Sequence, residues 1–316
     1  MQGPNVVPDR ETYPVRMTRV TVRKCLVIEA APIIRNALLL GLLMAAIPEA
    51  RAISVVAAES VYGDIVRQVG GANVTVVDII SSPNLDPHEF EATASTARAV
   101  ADADLVIYNG LEYDPWASRL LAASPSSRRE AIEIAALAGR HAGDNPHLWY
   151  DIEAMAALAR AVASVLTKLD PLHAVEYSAN LARFEDALQD VRKRIASMRA
   201  KYAGTAVAAT EPAFGYMAEA LGLRMRDTRF QMAIMNGTEP SARDLADFEQ
   251  SLQTRQVRLL LYNRQTTGAL SERVRRVAQD SHVPTVGLSE TLPSGESYQA
   301  WMLAQLAAVD RALSGR

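Results

Sequence analysis

Two residue types that build many functional sites are scarce in this chain of 316 residues, which has one cysteine and five histidines. The single cysteine, Cys25, lies ahead of an apolar segment near the N-terminus. If that segment is removed, the mature chain has no thiol, which excludes thiol catalysis and thiolate metal sites. The absence of disulfides is no obstacle, because a large core does not need covalent cross-links.

Long hydrophobic runs are also absent, since none reaches the roughly 20 residues that a membrane-spanning helix needs. The longest run covers residues 37–47. The basic residues Arg23, Lys24 and Arg35 precede it, and the small-x-small triplet Ala50-Arg51-Ala52 follows it. This pattern is typical of a cleavable secretory signal peptide; an internal core helix is the alternative. We assign residues 1–52 to a signal peptide and N-terminal extension. We expect a periplasmic protein with no lipid anchor, because Cys25 precedes the apolar run.

Charge and aromatic content limit the partners. Removal of residues 1–52 leaves 26 Lys and Arg against 32 Asp and Glu, a net charge of −6, which makes nucleic acid an unexpected partner. Aromatic residues make up only 6% of the chain, so few groups are available to stack on an organic ligand such as a siderophore or vitamin.

Sequence patterns of common enzymes are missing as well. The segment His88-Glu89-Phe90-Glu91-Ala92 has alanine where a zinc protease needs its second histidine. Serine-hydrolase, P-loop and dinucleotide-binding glycine patterns do not occur. We therefore predict a protein that is not an enzyme, with a secreted metal-dependent hydrolase as an alternative.

The mature chain alternates short β-branched runs with amphipathic helical patterns, which predicts parallel sheets with helices on both faces. The predicted strands are residues 53–58, 74–80, 105–108, 206–209, 257–262 and 283–288. The repeat predicts an N-terminal α/β lobe (53–169) and a C-terminal α/β lobe (203–316). The linking segment (170–202) is predicted to be one long backbone helix, because it starts with Asp170-Pro171 and has no internal proline or glycine. Two helices that fold back are the alternative.

Four possible metal ligands come from four separate loops: His88, His147, Glu211 and Glu290. Each histidine follows a proline, and each glutamate follows a predicted strand, where ligands of open α/β sheets collect. Two imidazoles and two carboxylates suit Zn²⁺, Mn²⁺ or Fe²⁺. Candidates for orienting these ligands are Asp86, Asn145, Tyr262 and Asn263. The other histidines lack this context, and we interpret them as surface or structural residues: His141, His173 and His282.

Several short motifs occur in one order that resembles the zinc/manganese solute-binding proteins of ABC importers, the TroA-like family. They are Asn84-Leu85-Asp86-Pro87-His88, Tyr108-Asn109-Gly110, Asp114-Pro115-Trp116, Asn145-Pro146-His147-Leu148-Trp149, Glu211-Pro212-Ala213-Phe214-Gly215-Tyr216, Asn236-Gly237-Thr238-Glu239-Pro240-Ser241, Tyr262-Asn263-Arg264-Gln265, and Glu290 with Gly295-Glu296-Ser297-Tyr298. The resemblance extends from Ile53 almost to the C-terminus.

The resemblance implies two lobes, bridged by one long helix, that hold the ion between them and deliver it to a membrane permease. We also expect a monomer. It also implies that His88 and His147 are the first two ligands. Glu211 matches a third position that is histidine in many zinc members and glutamate in several manganese members. Glu290 matches a fourth position that is commonly aspartate. Many zinc-binding members of the family carry a histidine-rich acidic loop, and its absence from this sequence favours Mn²⁺ as the cargo. The Irving–Williams order favours Zn²⁺, so either ion can be the cargo. A metal-stabilised adhesin is a further alternative.

Overall fold

The structure is a computed structural model that describes residues 14, 51–82, 87, 90–266 and 268–315. Residues Arg51–Arg316 form one compact unit. The predicted signal peptide lies almost entirely outside the described residues. In the described part of the chain, no helix is both long enough and apolar enough to span a membrane.

The first half contains a four-stranded parallel sheet in the order β2-β1-β3-β4. Its strands are β1 (Ile53–Glu59), β2 (Val74–Ile80), β3 (Leu105–Tyr108) and β4 (Glu130–Glu133), and its helices are α1 (Ser60–Gly70), α2 (Ala94–Asp102), α3 (Pro115–Ala123), α4 (Ile134–Leu137) and α5 (Ile152–Leu169).

The second half repeats the same topology in the order β6-β5-β7-β8, again with all pairs parallel. Its strands are β5 (Ala206–Ala209), β6 (Arg224–Met225), β7 (Leu260–Asn263) and β8 (Thr285–Leu288). Its helices are α7 (Gly215–Ala220), α8 (Thr228–Met235), α9 (Ala242–Gln253), α10 (Ala269–Asp280) and α11 (Tyr298–Ser314). The predicted α/β class with two parallel sheets is confirmed.

One helix, α6 (Ala174–Tyr202), connects the two sheets after a short 3₁₀ turn at Pro171–His173. Its 29 residues span about 43 Å at 1.5 Å per residue. Leu188, Val191 and Met198 on its inner face are fully buried. The prediction of a single long helix is confirmed, and the fold-back alternative is wrong, because apolar positions spaced by three and four bury one continuous face.

The two sheets share one hydrophobic core. Val55 and Ala57 of β1 belong to the same buried cluster as Val207 of β5 and Leu261 of β7, together with the inner face of α6. The opposite faces of the sheets pack in two smaller clusters, as expected for strands whose side chains alternate between faces. Because the core is continuous, the predicted division of the chain at residues 169 and 203 stays a prediction.

Candidate metal centre

Three of the four candidate ligands are buried at the ends of secondary-structure elements. Glu211 follows β5, Glu290 follows β8, and His147 immediately precedes a 3₁₀ turn at Leu148–Tyr150. Their side chains are 0%, 4% and 1% exposed for His147, Glu211 and Glu290, respectively. His88 and Asp86 lie outside the described residues, so their placement stays a prediction.

The orientation of the His147 ring is determined by Asn145. The Asn145 side-chain oxygen accepts hydrogen bonds from the His147 backbone N at 3.1 Å and from the ring Nδ1 at 2.6 Å. The Asn145 amide nitrogen donates to the Pro212 carbonyl at 2.7 Å, which fixes the orientation of the amide. Since an amide oxygen can only accept, Nδ1 carries a proton, and Nε2 is the nitrogen with a lone pair for a metal in the neutral ring.

A small residue makes room for Asn145. A Cβ atom at Gly215 would lie 2.6 Å from the Asn145 amide nitrogen, which is closer than real contacts allow. Tyr216, the next residue, donates its hydroxyl to the Asn145 carbonyl at 2.6 Å. The sequence Phe214-Gly215-Tyr216 thus supports the Asn145 loop from the second half of the chain.

The carboxylates of Glu211 and Glu290 are joined by one amide. The Asn263 side-chain nitrogen donates to Glu211 Oε2 at 2.9 Å and to Glu290 Oε1 at 2.7 Å. On the other side, His147 Nε2 lies 3.5 Å from Glu290 Oε1. The structure therefore places the His147 imidazole beside the Glu290 carboxylate and links Glu290 to Glu211 through the Asn263 amide.

The electrostatics of this cluster suit a cation. Burial raises the pKa of Glu211, the negative charge of Glu290 raises it further, and hydrogen bonds from Asn263 and Thr266 oppose the rise. Buried like charges at close range are unfavourable unless a cation or a proton compensates them. A divalent ion beside Glu211 and Glu290 would provide that compensation.

A cavity of about 10 Å³ lies against Glu211, Asn263 and Glu290. Such a volume admits a particle the size of one water molecule, whereas pockets for organic ligands measure roughly 300–1,000 Å³. The cavity therefore favours an ion over a siderophore or vitamin.

The residues around the candidate ligands make different contacts. Asn145 and Asn263 contact candidate ligands directly. Tyr262 lines the cavity, but its ring lies under the Arg275 guanidinium at 4.1 Å. The Trp149 ring packs edge-on against His147 with the ring centroids 5.3 Å apart.

Two residues that contact Glu290 were not predicted as part of the site. Tyr113 donates its hydroxyl to Glu290 Oε2 at 2.7 Å, and the Gln265 side-chain oxygen accepts from the Glu290 backbone N at 2.7 Å. Gln265 lies two residues after Asn263, and Tyr113 directly precedes the motif that starts at Asp114. The position of Gln265 within the motif at residues 262–265 and that of Tyr113 beside the motif at residues 114–116 were the signals in the sequence.

Histidines without the proline context lie elsewhere. His141 and His282 are exposed, and the His173 ring pairs with Asp170 at 2.5 Å. Within residues 51–82, 87, 90–266 and 268–315, no three His, Cys, Asp or Glu side chains are arranged as one group that could hold a metal ion, so His147, Glu211 and Glu290 are neighbours that do not form a coordination shell by themselves. The complete set of four ligands therefore stays a prediction.

The two parallel sheets have matching strand orders and are connected by one helix, and a buried cluster of imidazole and carboxylate groups lies at the strand ends. This combination defines a two-lobed binding protein of the TroA-like fold. A family model described as "Zinc-uptake complex component A periplasmic" (ZnuA) matches residues 55–312. The chain belongs to this family.

Solved structures and curated proteins agree with this assignment. The periplasmic zinc-binding protein TroA of Treponema pallidum superposes with a TM-score of 0.69 at 20% identity, over 83% of this chain and 99% of that one. FpvC of Pseudomonas aeruginosa in complex with Mn²⁺ gives a TM-score of 0.70 at 23% identity, over 84% and 99%. The manganese ABC transporter substrate-binding lipoprotein PsaA of Streptococcus mitis is 23% identical over 272 residues, 79% of this chain and 85% of that protein.

Proposed function

We propose that this protein captures a divalent transition metal ion, Zn²⁺ or Mn²⁺, outside the cytoplasm and delivers it to the membrane permease of an ABC importer. The observation that carries the proposal is the proximity of His147, Glu211 and Glu290. His147 Nε2 lies 3.5 Å from Glu290 Oε1, and the Asn263 amide donates to the carboxylates of both Glu211 and Glu290. Membership of a family named for zinc uptake supports transport over the alternatives of a hydrolase or an adhesin.

In this proposal His88, from the segment that follows β2 in the sequence, supplies the fourth ligand. The donor set of two nitrogens and several oxygens can hold a tetrahedral Zn²⁺, or Mn²⁺ when a carboxylate binds through both oxygens. TroA is named for zinc and PsaA for manganese, so relatives support both ions. The protein acts as a monomeric carrier, performs no catalysis and has no nucleic-acid partner.

We propose a periplasmic location after removal of residues 1–52. The absence of a lipid anchor stays a prediction, because PsaA is named a lipoprotein. The mass of the mature protein purified from membranes and from the periplasmic fraction distinguishes the two forms.

Replacement of His147 by alanine tests the proposal. Metal at about 100 times its Kd stabilises a folded protein by about 2.7 kcal/mol, so Zn²⁺ or Mn²⁺ is expected to raise the melting temperature of the original protein. In His147→Ala this metal-induced rise is expected to disappear, because a buried ligand is lost. The matched control is His141→Ala, which removes an exposed imidazole and is expected to keep the rise. An undiminished rise in His147→Ala would remove His147 from the site.

A further inference from the structure

The turn before Tyr113 has an unusual backbone. Gly110, Leu111 and Glu112 have φ values of 81°, 54° and 60°, and the left-handed region costs non-glycine residues roughly 1–2 kcal/mol each. The Asp114 carboxylate closes this turn by accepting from the backbone N of Asn109 at 2.6 Å and of Gly110 at 2.9 Å. Strain of this kind persists where the surroundings impose it, often at functional sites.

The strained turn places Tyr113 between two candidate ligands. The side chain is only 3% exposed. Its ring packs edge-on against His147 with centroids 6.0 Å apart, and its hydroxyl donates to Glu290 Oε2 at 2.7 Å. Tyr113, from a loop of the first sheet, thus restrains the carboxylate of Glu290, which follows β8 of the second sheet.

The two oxygens of Glu290 have different surroundings. Oε1 lies 3.5 Å from His147 Nε2 and accepts from Asn263, so it faces the cluster that would hold an ion. Oε2 is engaged by the Tyr113 hydroxyl. For both oxygens to bind one ion, the carboxylate would have to rotate, which would disturb the contact with Tyr113.

We propose that Tyr113 is a positioning residue that holds Glu290 to the ion through Oε1 alone and thereby favours Zn²⁺ over Mn²⁺. This inference rests on the proposed function of the site. A carboxylate that binds through one oxygen keeps the coordination number low, which suits tetrahedral Zn²⁺. A carboxylate that binds through both adds a ligand oxygen, which suits the octahedral, oxygen-rich coordination of Mn²⁺.

The test is Tyr113→Phe, which removes one hydroxyl and keeps the ring packed on His147 and Trp149. The matched control is Tyr108→Phe, which also removes a tyrosine hydroxyl bonded to a carboxylate, that of Glu133 at 3.2 Å. Two quantities are measured: the ratio of Zn²⁺ to Mn²⁺ affinity by competition, and the number of coordinating oxygens by X-ray absorption at the zinc edge.

The expected result in Tyr113→Phe is one additional coordinating oxygen and a fall of about tenfold in the Zn²⁺ to Mn²⁺ affinity ratio, the scale on which residues that orient ligands act. Tyr108→Phe is expected to change neither quantity. An unchanged ratio and oxygen count in Tyr113→Phe would overturn the inference while leaving the proposed function intact.

A crystal structure of the zinc-loaded original protein provides a test that does not depend on folding of the variant. Glu290 is expected to bind through one oxygen, with the Tyr113 hydroxyl still bonded to the other. Binding through both oxygens would overturn the inference. Failure of the original protein to bind Zn²⁺ or Mn²⁺ at all would instead refute the proposed function.

Discussion

Glu59 is a buried acidic residue near the candidate site, and its carboxyl group has a raised pKa. It ends β1 with no exposed surface. Burial raises the pKa of its carboxyl group well above the ordinary value, and the nearby charges of Asp114 and Glu290 raise it further. Glu59 therefore keeps its proton at pH values where exposed glutamates are ionised.

This raised pKa predicts a pH dependence of stability. The folded form holds the proton more tightly than the unfolded form, so the contribution of Glu59 is fully present below its ordinary pKa of 4.5 and is lost as pH rises toward the raised value. Glu59→Gln keeps a neutral group of the same shape and is expected to increase the free energy of unfolding at pH 7, because the cost of keeping the carboxyl group protonated in the folded state is removed.

Melting temperatures between pH 4 and pH 8, with chelator present, test this prediction. The gain in Glu59→Gln is expected to grow with pH, whereas the exposed control Glu239→Gln should follow the original protein throughout. A Glu59→Gln curve parallel to that of the original protein would mean that Glu59 does not hold its proton in the folded state.

Among single elements, the sequence predicted the strands rich in β-branched residues well and missed two short polar strands. The run Val74–Ile80, at one edge of its sheet, and the run Leu105–Tyr108, in the sheet interior, are strands with the predicted bounds, because β-branched and aromatic residues favour strands. Glu130–Glu133 and Arg224–Met225 were not predicted. Each lies at the edge of its sheet and is short and polar, so its pairing depends on the neighbouring strand rather than on its own sequence.

The same distinction applies to the site. Proline before His147 and the strand before Glu211 are local signals that the sequence shows directly. The link from Tyr113 to Glu290 joins positions 177 residues apart, and only the packing of the two halves creates it. Asn263 was predicted to orient ligands, but its simultaneous contact with both carboxylates depends on β5, β7 and β8 lying side by side.

At the scale of the whole molecule, hydrogen bonds reinforce the shared core. Tyr150 donates to the Ser289 carbonyl at 3.0 Å, Tyr298 donates to the Trp149 carbonyl at 2.8 Å, and the Tyr298 backbone N donates to Asp64 at 2.8 Å. The segment from Ser289 to the start of α11 is thereby attached to the first half of the chain. A continuous core with these bonds favours a small rotation of the lobes over a wide hinge motion.

Small-angle X-ray scattering of the chelated and the metal-loaded protein tests this rigidity. The radius of gyration is expected to be nearly the same in both forms, close to about 18 Å from the size of the folded chain. A large decrease on loading would show that the lobes close as a clamshell, which the shared core does not allow.

Anomalous diffraction at the zinc edge from crystals of the loaded protein shows whether His88, His147, Glu211 and Glu290 hold one ion. We expect a single strong anomalous peak at about 2.0–2.2 Å from imidazole nitrogens of both histidines and from an oxygen of each glutamate. A peak bound by other side chains, or one that lacks His147 and either glutamate among its ligands, would contradict it.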